Sequence, residues 1–273
     1  MRFTVFGATG FIGGTLTAHL RAAGHEVLTP SRHEVPDGDL GHVVYAIGLT
    51  GDFRSRPLDT VDAHVTVLAD RIRGARFDSW LYLSSTRVYS GIDATTVSEE
   101  SVPLARPTAD GIYDLSKLLG EAICASRPEP TVRVARVSNV YGAGAHSDTF
   151  LGMLLADVAA GRDITVGEGP QSSKDYVAVD DLCRMLTHVA TAGKHRLYNL
   201  ASGQPVTHAE IADVIADRTG VGVTFAPDGP TRTFPTIDVS RVRAETGLRP
   251  ARLTERLPDM LAEAAAQPTP SHS

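Results

Sequence analysis

Tyr113 and Lys117 stand four residues apart in Tyr113-Asp-Leu-Ser-Lys117, which puts both side chains on one face of a helix. Leu115, Leu118, Leu119, Ala122 and Ile123 repeat at three- and four-residue spacing, so the segment reads as helix. A free tyrosine titrates near ~10 and exchanges protons poorly at neutral pH. An ammonium one turn away favours the phenolate and lowers that value. The pair could then exchange a proton with a hydroxyl or carbonyl near neutrality. The same spacing also fits an aromatic packed on the core beside a solvated charge, so the surrounding elements must decide.

Those elements start with a short apolar run, Phe3-Thr-Val-Phe6, read as a strand over Arg2 to Phe6. Gly7-Ala-Thr-Gly10-Phe-Ile-Gly13 follows, then a helical stretch to Ala23, a closing Gly24 and a second strand from Glu26 to Leu28. A strand, a glycine-rich turn, a helix and a strand in this order open a dinucleotide-binding sheet. Gly7 permits the tight turn, Gly10 lets backbone approach a pyrophosphate, and Gly13 lets helix and strand pack closely. Thr9, Phe11 and Ile12 complete the turn, and the helix N-terminus offers free N–H groups to phosphate.

The alternation continues. Strands are expected at Val43 to Ile47, Ser79 to Leu83, Thr131 to Val137, Ile164 to Val166, Arg196 to Leu200 and Val221 to Phe225. Helices are expected at Thr60 to Arg73, around Tyr113, at Thr149 to Ala160, at Asp180 to Ala190 and from a Thr207 cap through Arg218. Residues 90–110 read as a long polar loop, a kind that is usually functional. Repeated βα units predict an α/β, Rossmann-type doubly wound parallel sheet with ligands at the carboxyl ends of its strands. The expected division is a dinucleotide-binding domain over 1–141 and 175–201, with a small discontinuous substrate lobe over 142–174 and 202–255. Residues 265–273, rich in Pro and Ser, read as a disordered tail.

The chain has 273 residues, 42% hydrophobic and 21% charged, and a net charge of −6. That composition suits an ordinary soluble globular protein with a sizeable core. The negative balance argues against nucleic acid or an anionic membrane as partner. Cys124 and Cys183 fall inside expected helices without metal-ligand spacing, so they read as buried free thiols in a reducing compartment. No signal peptide is recognised, and no run of about 18 apolar residues is present. The cytoplasm is the expected location, and homodimerisation is left open.

Taken together these motifs resemble the extended branch of the short-chain dehydrogenase/reductase superfamily, the NAD-dependent epimerase/dehydratase family, collinearly from Met1 to about Pro250. Gly7 to Gly13 is similar to its glycine motif, and Ser84-Ser-Thr-Arg-Val-Tyr89 to its catalytic serine/threonine segment, with Ser85 as the active hydroxyl. Tyr113 and Lys117 match its Tyr-x-x-x-Lys. Arg136-Val-Ser-Asn139-Val-Tyr-Gly142 resembles the strand end whose asparagine helps seat a nucleotide-sugar. Lys174-Asp-Tyr-Val-Ala-Val-Asp-Asp181 resembles a returning segment that usually begins Arg-Asp. The resemblance implies Tyr113 as acid/base, Lys117 as the group that lowers its pKa and holds the nicotinamide ribose, and Ser85, with Thr86 beside it, on the substrate oxygen.

The departures from the family pattern carry the subtype. Thr86-Arg87 replaces the Asp-Glu pair of the family's sugar 4,6-dehydratases, so dehydration is not expected. The second strand ends Leu28-Thr-Pro-Ser31-Arg32, without the acidic residue that reads the ribose of NAD. Ser31 and Arg32 could instead receive a 2′-phosphate, which favours NADP, with NAD retained as the other choice. Ala46-Ile-Gly48 replaces the usual His-x-Ala-Ala near the cofactor, and His64, near a position usually held by asparagine, is read as structural. Lys174 and Arg232 stand where the family binds substrate phosphate, and Arg54 and Arg56 lie in a loop at the substrate end of the sheet. The expected function is NADP-dependent reduction of a keto group on a nucleotide-linked sugar. An NAD-dependent nucleotide-sugar epimerase and a non-catalytic dinucleotide-binding regulator are the alternatives.

Overall fold

The structure, a computed structural model, describes residues 1–32, 34, 36–145 and 149–266. Its centre is a parallel sheet built from β1 (Arg2–Phe6), β2 (Glu26–Leu28), β3 (His42–Tyr45) and β4 (Ser79–Ser85), with the strands Val132–Val137 and Leu197–Leu200. The spatial order is Leu197–Leu200, Val132–Val137, β4, β3, β1, β2. The inner strands are buried on both faces because helices cover both. The chain runs outward from β1 to β2, then returns to β3 on the other side of β1. That reversal opens a crevice at the carboxyl ends of β1 and β3, the usual ligand position in such sheets.

One face of the sheet is covered by α1 (Phe11–Ala22) and by a later helix, Val179–Ala192; Leu16, Leu20, Leu182 and Leu186 pack there with Phe3, Val5 and Leu81. The other face carries Phe6, Tyr45, Trp80 and Tyr82 against Leu68 and Cys124. The helix expected over Thr60 to Arg73 is composite: α2 (Pro57–Val61), a π turn (Asp62–Thr66) and α3 (Val67–Ile72). The tyrosine helix, α4, runs Ile112–Ala125. Both cysteines are buried and free.

A separate apolar cluster unites α5 (Phe150–Ala159) with Val206, Ile211, Ile215, Leu253, Leu257 and Leu261. The packing departs from the expected lobe boundaries. Tyr176 and Ala178 belong to this second cluster, whereas Ile237, Val239 and Val242 pack with the sheet. Residues 90–110 are not free loop. Thr96–Val97 pairs with Thr236–Ile237, and buried Glu99 accepts the Asn199 N–H at 2.8 Å. The strand pair Asn139–Tyr141 and Tyr176–Ala178, and the helices Ser240–Thr246 and Leu253–Ala266, were not expected. Ala265 and Ala266 lie in the last helix rather than a tail, and 267–273 fall outside the described residues. The Thr207 cap takes the expected form: its hydroxyl accepts from Glu210 N at 3.1 Å, and Glu210 accepts from Thr207 N at 2.9 Å. Among the described residues no helix is long and apolar enough to cross a membrane.

Candidate active site

A cleft of about 1310 Å³ opens at the carboxyl ends of the strands, with Gly10, Gly48, Ser85, Tyr113, Lys117 and Asn139 on its wall. Its inner end is formed by the glycine turn. Gly7 has φ +85°, and a Cβ there would lie 2.8 Å from the Ala46 carbonyl carbon, so β1 and β3 meet through a glycine. A Cβ on Gly13 would lie 2.2 Å from the Gly7 oxygen, so α1 starts tight against the turn. Gly10 is the N-cap of α1, without a side-chain cap and without acidic residues in the first turn. Unsatisfied N–H groups at a helix start, facing a cleft, suit a pyrophosphate. Thr9 lies in the same turn, and Phe11, Ile12 and Ala46 line the cleft. These residues fit a dinucleotide, which supplies hydride chemistry when bound.

Helix α4 brings Tyr113 and Lys117 to β4. It approaches closely because position 120 is glycine: a Cβ there would sit 2.3 Å from the Tyr82 hydroxyl. Glu121 clamps the same face. Its carboxylate accepts from Ser84 Oγ at 2.5 Å and from Arg136 at 2.9 and 2.6 Å. Lys117 Nζ donates to the Leu83 carbonyl at 2.9 Å and lies 5.9 Å from the centre of the Tyr113 ring. Burial lowers the Lys117 pKa to about 7, with the Glu121 carboxylate opposing.

Hydrogen bonding ties the Tyr113 side chain to Ser85 and to Thr50, which the sequence did not single out. Burial holds the phenol above its ordinary value, while the bonds to Ser85 and Thr50 and the charge of Arg87 pull it down. The expected depression by Lys117 is thus replaced in this structure by burial working the other way. Arg87 is the second residue that sequence reading undervalued. Its guanidinium lies 5.5 Å from the Tyr113 ring centre and 4.8 Å from that of Phe53. Its Nε donates to the buried Asp114 at 3.0 Å. The signal was present in Thr86-Arg87, but only the fold brings Asp114 and Phe53 to it.

Other expected contacts are placed differently. Arg54 stays off the cleft wall: it donates to Asp110 at 2.7 Å and stacks on Phe53 at 4.5 Å. Arg56 is paired with Asp52 and Asp59. Arg32 is paired with Asp62 of the π turn, and the Ser31 N–H donates to Glu34 at 3.1 Å. Both residues therefore already face carboxylates and lie off the cleft wall.

Lys174 and Arg232 do line the cleft, around Glu168. Lys174 Nζ is 4.0 Å and Arg232 Nε 3.7 Å from that carboxylate. Asp175 fixes the segment by accepting from Ser202 N, Ser202 Oγ and Gln204 N at 2.8 to 3.0 Å. Asn139 Nδ2 donates to the Asp175 carbonyl at 2.8 Å. Thr86 is buried on the cleft wall next to Ser85.

Comparison with known families gives one match over residues 3–201, to the NAD dependent epimerase/dehydratase family. The chain belongs to this family. Among epimerase/dehydratase relatives, a dTDP-glucose 4,6-dehydratase of Streptomyces niveus is 27% identical over 84% of this chain and 66% of its own length. A dTDP-4-dehydro-6-deoxy-D-allose reductase of a Streptomyces species is 26% identical over 77% of this chain and 79% of its own. The chain thus spans just under two thirds of the first relative. In structure, it is similar to MoeE5 in complex with UDP-glucose and NAD, with a TM-score of 0.80 at 24% identity over 96% of this chain and 98% of that one. At that identity the likeness shows the epimerase/dehydratase fold.

Proposed function

We propose that the protein is an NADP-dependent reductase of a keto group on a nucleotide-linked sugar. The observation that carries the reading is the pairing of a complete Ser85–Tyr113–Lys117 constellation with Arg87 where a dehydratase of this family places its acidic pair. Loss of water from a sugar needs a further base and acid; a guanidinium held by Asp114 is neither at neutral pH. The relative named as a dTDP-4-keto-sugar reductase supports the same direction.

In this account Tyr113 donates its proton to the carbonyl oxygen as the carbon beneath accepts hydride. Ser85 donates a hydrogen bond to that oxygen and shares its growing charge. Burial suits the step, because a phenol kept protonated at neutral pH is ready to act as acid. A regulator without catalysis would need none of these groups buried together.

Incubation with NADPH and a panel of nucleotide-linked 4-keto-sugars tests the proposal. Stoichiometric oxidation of NADPH is expected with at least one. Interconversion of a sugar epimer with no net cofactor use would replace the reading by that of an epimerase.

Substrate anchoring should divide kinetics in a recognisable way. A diphosphate on Lys174 and Arg232 would take the place of Glu168. Lys174→Ala and Arg232→Ala should each raise KM by roughly tenfold, with a smaller change in kcat, since they touch a non-reacting group. An equal loss on a small ketone without nucleotide would count against this seat.

Cofactor choice rests on Arg32. A 2′-phosphate would exchange for the Asp62 carboxylate on its guanidinium, and Arg32→Asp should weaken NADPH binding by roughly ten- to a hundredfold relative to NADH. The carboxylates of Asp62 and Glu34 favour the second reading, NAD. Wild-type affinity for NADH equal to that for NADPH in a fluorescence titration would select it.

A further inference from the structure

His208 opens the helix His208–Thr219, directly after the Thr207 cap, and is 2% exposed. Its ring stacks on Phe150 of α5, with centres 4.3 Å apart at 21°. Neither ring nitrogen has a hydrogen-bond partner among the described residues, and neither has Oε2 of Glu168. Buried polar atoms are rarely left so without a reason.

Oε2 of Glu168 is 3.9 Å from His208 Nε2 and 4.0 Å from Lys174 Nζ. Oε1 of the same carboxylate is 3.7 Å from Arg232 Nε. One carboxylate thus stands nearly midway between a buried imidazole and two cations. A movement of about 1 Å to either side would complete a hydrogen bond. Phe150, Glu168, Lys174 and Arg232 all line the cleft, and His208 touches the cleft wall through the first two.

Charge decides which side Glu168 takes. Burial lowers the His208 pKa below its ordinary value, the Lys174 charge lowers it further, and the Glu168 carboxylate opposes both. The imidazole is therefore neutral at neutral pH, and the carboxylate stays with the cations. Among the described residues no other charged group faces the ring. Helix α5 presents Phe150, and Arg232 is reached only through Glu168. Glu210, on the same helix as His208, is engaged by Thr207 and Arg252. The helix Leu253–Ala266 packs there through Leu257 and Leu261.

Both phosphates of a nucleotide-linked sugar are diesters, so each carries a fixed negative charge and neither titrates near neutrality. Settled on Lys174 and Arg232, they would cancel the charge that disfavours a proton on His208. They would also repel Glu168 from its place. Both effects favour an imidazolium.

We infer that Glu168 changes partners when an anion binds: a diphosphate on Lys174 and Arg232 turns the carboxylate onto His208 Nε2, and the imidazole takes up one proton from solvent to hold it there. The nucleotide-linked substrate is bound together with a proton, and its affinity falls as pH rises. The inference rests on Lys174 and Arg232 as the diphosphate seat, but not on the identity of the sugar.

The test uses the full chain and has a ligand-free arm. In ¹⁵N-histidine spectra followed against pH, the signal absent from His208→Gln reports His208. Glu168→Gln should lower its midpoint slightly in the wild-type background. In Lys174→Met, where the carboxylate has turned to the imidazole, the same change should lower it by roughly one pH unit more. Equal effects in the two backgrounds would overturn the change of partner. In the second arm, UDP-glucose or dTDP-glucose, which carry the diphosphate without a keto group, is titrated by calorimetry in buffers of different ionisation heat. Wild-type affinity should fall by up to about tenfold for each pH unit above neutrality. His208→Gln should take up roughly one proton fewer than wild type and lose that dependence, as should His208→Phe, which keeps the stack on Phe150. Lys174→Arg, whose cation does not titrate, should retain the uptake. Uptake equal in wild type and both His208 variants, or lost in Lys174→Arg, would overturn the inference. If neither nucleotide sugar binds but Glu168→Gln has its larger effect in Lys174→Met, the proposed substrate class fails and the pairing of Glu168 with His208 stands.

Discussion

Tyr113→Phe should fold, bind cofactor and lose two to four orders of magnitude in turnover, roughly the contribution of one positioned acid. The substitution removes one hydroxyl from a buried ring and leaves its contacts with Phe53 and His64. It also frees Ser85 and Thr50, whose hydroxyls are small enough to re-pair with water in an open cleft. The check is kcat for the Phe variant beside its cofactor dissociation constant. A variant that reduces substrate at nearly the wild-type rate would leave Tyr113 a packing residue.

Lys117→Met should lower turnover by roughly two orders of magnitude and alter two pH dependences. The wild-type ammonium, with its pKa lowered to about 7, is lost as pH rises through that value. Reduction requires a protonated Tyr113 and gains from the adjacent charge, so the wild-type rate should fall on the basic side near pH 7. Methionine cannot titrate and should erase that limb. Stability should move as well. The unfolded lysine binds its proton up to 10.5 and the folded one only to about 7, so wild-type stability should rise with pH between those values. Below about 7 the cost of burying the charge is complete, and there Lys117→Met should melt above wild type, with the gap closing toward pH 10.5. A flat wild-type profile and no change in melting would show that Lys117 is not buried as a charge.

The legible parts of this molecule are those in which chemistry is local. Gly7, Gly10 and Gly13 declare a β–turn–α unit because the contacts a Cβ would break lie within the turn or one strand away. Tyr113 and Lys117 declare a shared face because helix geometry alone fixes it. What could not be read depends on distant segments. Arg32 faced a carboxylate thirty positions ahead, brought in by the π turn, and no periodicity signals such a turn. Arg54 looked available until the fold set Asp110 beside it, while Arg87 gained its place through Asp114 and Phe53. The pKa of Tyr113 went the other way because burial, invisible in a motif, outweighs the downward pull of Ser85, Thr50 and Arg87. Thr50 sits in a loop with no pattern of its own, and only the cleft reveals it.

The most direct test of the central claim follows the hydride. Wild-type protein is given NADPH carrying deuterium at the transferred position, together with a nucleotide-linked 4-keto-sugar, and the product is read by mass spectrometry and NMR. Ketoreduction with Tyr113 as acid predicts one deuterium on the new carbinol carbon for each NADPH consumed, and its near absence in Tyr113→Phe. Product formed without deuterium from the added cofactor, or formed equally by the Phe variant, would contradict the account.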